Sequence, residues 1–150
     1  MADVLRAFEE HRQTVYRLAL HHTGSVHDAE DICQSAFLRL AEHADRVGDA
    51  AAKAWLIRVT INLCRDHARE RMRHGTEEID ETIAAPQEDR EVLQKVMELP
   101  EKDRAAVYLY YFEGYSTSEI ARLTHTTQTA VSTRLARARE KLKRELEELP

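Results

Sequence analysis

The residues of this sequence best suited to bind a polyanion lie near its C-terminal end, in the stretch QTAVSTRLARAREKLKREL. Four basic residues recur there at steps of three, four and three, which places them along one stripe of an α-helix: Arg134, Arg137, Lys141 and Arg144. The first turns of the same helix carry small hydrogen-bonding side chains: Gln128, Thr129, Ser132 and Thr133. Polar side chains followed by phosphate-binding cations are typical of a helix that enters the DNA major groove.

The alternative for this stripe is a solvated helix face whose cations pair with acids one turn away. Glu140 is the one acidic residue between Arg134 and Arg144, so pairing within the helix leaves most of the stripe uncompensated. The whole chain carries a formal net charge of -5, which confines an anion-binding surface to a local region. We therefore predict nucleic-acid contact through Gln128, Thr129, Ser132, Thr133, Arg134, Arg137 and Lys141.

The element that presents these residues has the pattern of a helix-turn-helix. Ser116 precedes a short helix and has Glu119 three residues later, which predicts a capping box. A polar turn, THTT, follows, and the last helix is expected from about Gln128 to Leu146. Its buried stripe is predicted from the helical period to be Val131, Leu135, Ala138, Leu142 and Leu146.

The rest of the chain is predicted to be helical as well, because runs with a period of two are nearly absent. A first helix is expected to end near Gly24, with an inner face of Val4, Phe8, Val15, Leu18 and Ala19. A second is expected to begin after Ser25 and run to about His43, with an inner face of Ala29, Ile32, Cys33, Ala36, Phe37 and Leu40. A third, from about Lys53 to Met72, has Trp55, Leu56, Val59 and Leu63 inward and turns basic beyond Leu63. Two further helices are expected, one from near Arg90 to Pro100 and one stopped at Gly114.

The charge is distributed unevenly along the 150 residues. Residues 73–91 hold 2 basic and 7 acidic groups and include a glycine and a proline without a helical apolar stripe. This composition is typical of a flexible linker. We predict an all-α protein with two small helical domains, residues 1–73 and 92–150, joined by an acidic linker at 74–91.

Enzymatic and cofactor-binding motifs are not evident. Cys33 and Cys64 lie in apolar stripes and are predicted to be buried free thiols. His21, His22 and His27 lie near Cys33, but their spacing matches no closed zinc signature. No apolar run approaches the length of a membrane span. We predict no catalytic residues, no metal, no cofactor and no membrane insertion.

Three motifs together resemble the bacterial RNA polymerase sigma factors of the extracytoplasmic-function (ECF) type. They are AEDICQSAFLRL, KAWLIRVTINLCRDHARER and LPEKDRAAVYLYYFEGYSTSEIARL followed by AVSTRLARAREKL. The resemblance implies that the protein binds core RNA polymerase, opens the downstream promoter element with its N-terminal domain and contacts the upstream element with its C-terminal helix-turn-helix. It also implies promoter DNA and an anti-sigma factor as partners, and action in the bacterial cytoplasm.

The resemblance assigns roles to two more groups of residues. The group that would dock on the clamp helices of the polymerase largest subunit is Asp28, Glu30, Asp31 and Gln34. The group that would contact the downstream element is Val59, Asn62, Arg58, Arg65, Arg69, Arg71 and Arg73. Within it, Val59, Asn62 and the loop from Asp45 to Asp49 would form a pocket for a flipped base, while the arginines hold the strand backbone.

A different class of protein also fits the C-terminal half. A stand-alone helix-turn-helix regulator would bind duplex DNA without polymerase. Such a regulator needs a ligand pocket, a phosphoacceptor or a dimer interface in its first domain, and none is evident there. The residues therefore favour the polymerase-bound factor, with the regulator as the alternative.

Overall fold

The computed structural model describes residues 1–74 and 94–147, and all regular structure within them is helical. The predicted all-α class is therefore confirmed. The main helices are α1 (Val4–Thr23), α2 (Val26–Glu42), α3 (Ala52–His74), α4 (Glu101–Val107), α5 (Thr117–Leu123) and α6 (Gln128–Glu147). A short 3-10 helix, Asp49–Ala51, precedes α3; a π-helical segment, Tyr108–Phe112, continues α4; and residues 94–97 form a helical turn.

The helix ends follow local backbone chemistry, as the sequence predicts. Gly24 ends α1 in the left-handed conformation with φ 71°, and its N–H donates to the Leu20 carbonyl. The Ser25 side chain caps α2, and Ser116 and Glu119 form both bonds of the capping box at the start of α5. The predicted linker from residue 75 onward, the helix start near Arg90 and the Leu146 side chain lie outside the described residues.

The first three helices pack around a cluster centred on fully buried Val15, Leu40 and Leu56. The inner face predicted for α2 is confirmed, because all six of its predicted residues are buried. Phe8 was expected inward, but that prediction is wrong. Its ring is 38% exposed and contacts Phe37 edge-to-face, with the ring centroids 5.1 Å apart, at the edge of the cluster.

A second cluster joins the two halves of the chain. Leu18 of α1 and Ile57 and Ile61 of α3 are buried together with Leu99, Leu109 and further side chains of the C-terminal half. Helix α3 therefore has two buried sides. Its second side, with Ile57 and Ile61, was not predicted because the C-terminal half, which lies far along the sequence, covers it.

Arg104 lies at the junction of the two halves and is only 5% exposed. Its Nε donates to the Leu99 carbonyl at 2.9 Å, its Nη2 to the Met97 carbonyl at 2.8 Å, and its Nη1 to the His22 carbonyl of α1 at 2.9 Å. The guanidinium thus bonds backbone from both halves. The side chain of Met97 also lies against Gly24, where an added Cβ would approach the Met97 sulfur to 3.0 Å.

A second charged contact crosses the same junction. The Glu101 carboxylate lies 3.6 Å from His22 Nε2. Burial alone would raise the pKa of Glu101, but its hydrogen bond to His22 and the nearby positive charges, including Arg65 and Arg104, lower it overall. Ionised Glu101 therefore favours packing of α4 against α1.

The turn between α5 and α6 lacks glycine, and His125 adopts the left-handed backbone conformation there, with φ 55°. The Thr126 N–H donates to the Ala121 carbonyl, a bond characteristic of a Schellman helix end. A residue with a Cβ is strained in this conformation. The backbone of this turn is therefore slightly strained at His125.

We expect His125→Gly to raise the free energy of unfolding by about 0.5–1 kcal/mol, since relief of the strain exceeds the added backbone entropy of glycine. Urea denaturation followed by circular dichroism measures the change. His125→Ala is the matched control, because it removes the imidazole but keeps the Cβ. Equal stability of the glycine and alanine variants would contradict the strain argument.

We expect Arg104→Lys to lower the free energy of unfolding by at least about 2 kcal/mol, because one ammonium cannot reproduce a fork that reaches three carbonyls. Guanidinium denaturation measures this change. Arg122→Lys, at an exposed arginine of α5, is the control and should leave stability nearly unchanged. Wild-type stability of Arg104→Lys would show that the junction does not depend on this guanidinium.

Candidate nucleic-acid interface

The first turn of α6 is fixed to the rest of the helix-turn-helix by side-chain hydrogen bonds. The Thr127 hydroxyl accepts from the Ala130 N–H at 3.1 Å and so caps the helix. The Gln128 amide donates to the hydroxyl of Thr117 on α5 at 2.9 Å. Farther along α6, Val131 and Leu135 are buried in the shared core. These contacts leave the opposite side of the helix to face solvent.

That outward side carries the small polar residues predicted to contact bases. Thr129, Ser132 and Thr133 are all exposed, and Gln128 is exposed as well despite its bond to Thr117. Their hydroxyl and amide groups can both donate and accept hydrogen bonds. The start of α6 is therefore a compact, rigidly held surface of hydrogen-bonding groups, suited to base edges in a DNA groove.

The basic stripe of α6 has partners inside the protein. Arg137 forms a bidentate ion pair with Asp103 of α4, and Lys141 Nζ donates to the Glu98 carbonyl at 2.8 Å. The hydrogen bond to Asp103 raises the pKa of Arg137 further above its ordinary value. The expectation that pairing leaves the stripe uncompensated was incomplete, because it considered acids of the same helix and Asp103 is 34 residues away.

The other two members of the stripe lie in different surroundings. Arg134 is half-buried, one turn before the paired Arg137, and Arg144 is exposed near the end of α6. The two paired members, Arg137 and Lys141, thus lie on the flank of α6 that turns toward α4, whereas the outward side of its first turns is uncharged. Helical spacing separates the stripe from the polar first turns, but the pairing of its two central members was not visible in the sequence pattern.

Helix α3 presents a second basic face. Arg58, Asn62 and Arg69 recur at helical spacing and are exposed, and Arg73 is exposed beyond them, 3.7 Å from Glu70. Arg65 is half-buried on the same side, whereas half-buried Arg71, two residues after Arg69, lies on the opposite side of the helix. Val59 lies apart from this face, since it is half-buried against the cluster of the first three helices. Asp49, in the loop before α3, accepts a hydrogen bond from the Asp3 N–H at 2.8 Å.

Helix α2 presents an acidic and polar face. Glu30, Asp31 and Gln34 are exposed, as a docking surface requires. Asp28 is set apart from them, because its carboxylate lies 3.0 Å from His67 Nε2 of α3 and is largely covered. The structure thus brings three of the four predicted docking residues onto one open surface and ties the fourth to α3.

Beside that polar face lies a groove of about 1280 Å³ between α1 and α2. Its lining includes Gln34 and Glu30 together with the exposed apolar side chains Leu5, Phe8 and Leu38. Leu5 and Leu38 were not predicted to belong to a site, although both fall outside the predicted inner stripes and could have been identified by that position. The groove therefore adds an apolar surface next to the acidic face of α2.

Neither thiol lies in a reactive environment. Burial raises the pKa of both Cys33 and Cys64, which confirms the prediction of buried free thiols. Within residues 1–74 and 94–147, no three His, Cys, Asp or Glu side chains lie together as a metal site would need. No described helix is both long and apolar enough to cross a membrane.

An all-α chain that ends in a capped helix-turn-helix, with uncharged polar groups on the first turn of its last helix, has the architecture of a DNA-binding protein. Comparison with known families identifies the kind of DNA-binding protein. Residues 7–74 match the family described as Sigma-70 region 2, and residues 89–142 match Sigma-70, region 4.

Related proteins match across nearly the whole chain. The ECF RNA polymerase sigma factor SigM of Mycobacterium tuberculosis is 33% identical over 146 residues, covering 91% of this chain and 74% of that protein. SigL of the same species is 32% identical, covering 99% and 92%. SigW of Bacillus subtilis is 27% identical, covering 99% and 89%. The chain therefore belongs to the ECF RNA polymerase sigma factors, which are non-catalytic transcription initiation factors.

Solved structures share the fold. The sigma factor RpoE of Bartonella quintana, in complex with the anti-sigma factor NepR, superimposes with a TM-score of 0.86 at 19% identity over 100% of both chains. CnrH, in complex with the cytosolic domain of CnrY, gives 0.72 at 23% identity and covers 96% of this chain and 87% of that one. The match of region 2 to the first three helices does not favour the stand-alone regulator.

Proposed function

We propose that this sigma factor directs core RNA polymerase to promoters by placing α6 on the upstream element and α3 on the downstream element. The observation that carries the proposal is the exposed, capped start of α6. Thr129, Ser132 and Thr133, with Gln128 beside them, would contact base edges in the major groove. Arg134 would bind phosphate on the flank of the same helix. Arg137 and Lys141, also predicted to contact DNA, have partners within the protein.

The basic face of α3 is proposed to hold the downstream element once its strands separate. Arg58, Arg65, Arg69 and Arg73 would bind the backbone of one strand from this face, and Arg71 would join them where α3 ends. Exposed Asn62 can hydrogen-bond to the pairing edge of a base that has left the stack. Val59, half-buried one turn earlier on α3, would supply an apolar side of the pocket. In this proposal, residues 1–73 form the domain that binds polymerase and the downstream element. Residues 92–150 form the domain that binds the upstream element.

Polymerase docking is proposed on α2. Glu30, Asp31 and Gln34 would meet polar and basic groups on the clamp helices of the largest subunit, with the adjoining apolar groove adding buried area. Asp28 would contribute through α3, since it pairs with His67. An anti-sigma factor is proposed as a further partner, because the structural neighbour RpoE was solved in complex with one. The bacterial cytoplasm is proposed as the compartment, because relatives are named for RNA polymerase.

We expect promoter-specific transcripts from core RNA polymerase when this chain is added and none from core alone. Sequencing the DNA fragments retained by the reconstituted holoenzyme would give both promoter elements and their spacing. In vitro transcription on the recovered fragments then measures the activity. Binding of the chain to duplex DNA without polymerase, together with no effect on transcription, would instead identify a stand-alone regulator.

We expect Asn62→Ala to slow strand opening by about tenfold while leaving binding of the closed duplex unchanged, because the amide contacts a base only after the base has left the stack. Permanganate reactivity of unpaired thymines measures opening, and gel shift of the holoenzyme on duplex measures binding. Asp66→Ala, one turn farther along α3, is the control and should keep opening at the wild-type rate or faster. Equal opening by wild type and Asn62→Ala would remove Asn62 from the proposed site.

A further inference from the structure

The ion pair between Asp103 of α4 and Arg137 of α6 encloses a carboxylate where the helix-turn-helix packs on α4. The Asp103 side chain is 0% exposed, whereas that of Arg137 is 58% exposed. Arg137 Nε donates to Oδ2 at 3.1 Å, and Nη2 donates to Oδ1 at 2.9 Å. A buried carboxylate is costly unless a cation and hydrogen bonds compensate it. The bidentate geometry therefore fixes both the distance and the rotation of α6 against α4.

A second tether lies one helical turn farther along α6. Lys141 Nζ donates to the carbonyl of Glu98, in the turn that leads into α4. The carbonyls of Met97 and Leu99, on either side of Glu98, accept from Arg104. The start of α4 is thus held to α6 by one cation and to α1 by another. Both tethers of α6 lie on the flank that faces α4, away from its outward first turn.

We propose that Arg137 is a positioning residue, whose ion pair with Asp103 holds α6 at the angle at which Thr129, Ser132 and Thr133 meet DNA. This inference rests on the proposed function, since it concerns how α6 contacts the upstream element. A DNA phosphate competes poorly for Arg137, because release of the guanidinium leaves the Asp103 carboxylate buried and uncompensated. Lys141 supports the same geometry from the next turn.

The two possible roles of Arg137 predict opposite effects of Asp103→Asn. If Arg137 positions α6, the variant loosens the helix and weakens duplex binding about tenfold. If Arg137 binds phosphate, the variant frees the guanidinium and removes a negative charge near DNA, so binding becomes tighter. The measurement is fluorescence anisotropy of the reconstituted holoenzyme on a labelled duplex carrying the recovered upstream element.

Salt dependence separates the roles a second time. Loss of one phosphate contact reduces the slope of log affinity against log salt by about 0.9. We expect Arg137→Lys to lose about tenfold in affinity with an unchanged slope between 50 and 200 mM salt, since an ammonium keeps the charge but not the bidentate geometry. Arg137→Lys with wild-type affinity, or Arg137→Gln with the smaller slope, would overturn the proposal.

Glu140→Gln is the matched control for the change of charge. It removes one negative charge from an exposed position of the same helix, so electrostatics alone predict equal or slightly tighter binding.

If the Asp103→Asn variant loses its helical circular dichroism, Arg137→Lys tests the proposal by itself, because the Arg137 side chain is more than half exposed. Failure of the wild-type holoenzyme to bind the duplex would refute the proposed function. Wild-type binding that Asp103→Asn equals or exceeds would refute the positioning role alone.

Discussion

The arrangement of this molecule depends on the burial of one guanidinium. Arg104 cannot lose its charge in a protein, so its removal from water requires acceptors on several sides at once. It finds them in the carbonyls of Met97, Leu99 and His22. Because these carbonyls belong to both halves of the chain, the bonds that satisfy Arg104 also fix α4 against α1.

The C-terminal helix is likewise positioned by charged side chains, because two of its cations bond to other parts of the protein. Arg137 compensates the buried carboxylate of Asp103, and Lys141 bonds the turn before α4. The surface left for a ligand at the start of α6 is polar and uncharged. Such a surface discriminates through hydrogen bonds rather than through charge, which suits recognition of base edges more than nonspecific attraction to phosphate. The net acidity of the chain is consistent with that division.

Features set by local chemistry could be predicted from the sequence. The left-handed end of α1 at Gly24 and the capping box of Ser116 and Glu119 each depend on a few neighbouring residues. Helical period likewise predicted the exposed polar turn of α6. Contacts between distant residues could not be predicted, because no periodicity links Asp103 to Arg137 or Asp28 to His67. The left-handed His125 was also missed, since the turn lacks the glycine that usually marks this conformation.

The second buried side of α3 shows why the division into two domains is only part of the description. Leu18, Ile57 and Ile61 belong to the first three helices, yet they are buried in the cluster that also supports α6. Exposing a buried aliphatic side chain costs about 1.5–3 kcal/mol, so separating the halves would cost several kilocalories per mole from these three alone. A partner that draws the halves apart must supply that free energy through its own contacts, and a partner that binds both halves as they stand is favoured by the same amount. Burial of these apolar residues therefore favours partners that bind the exposed polar faces of both halves in their present arrangement.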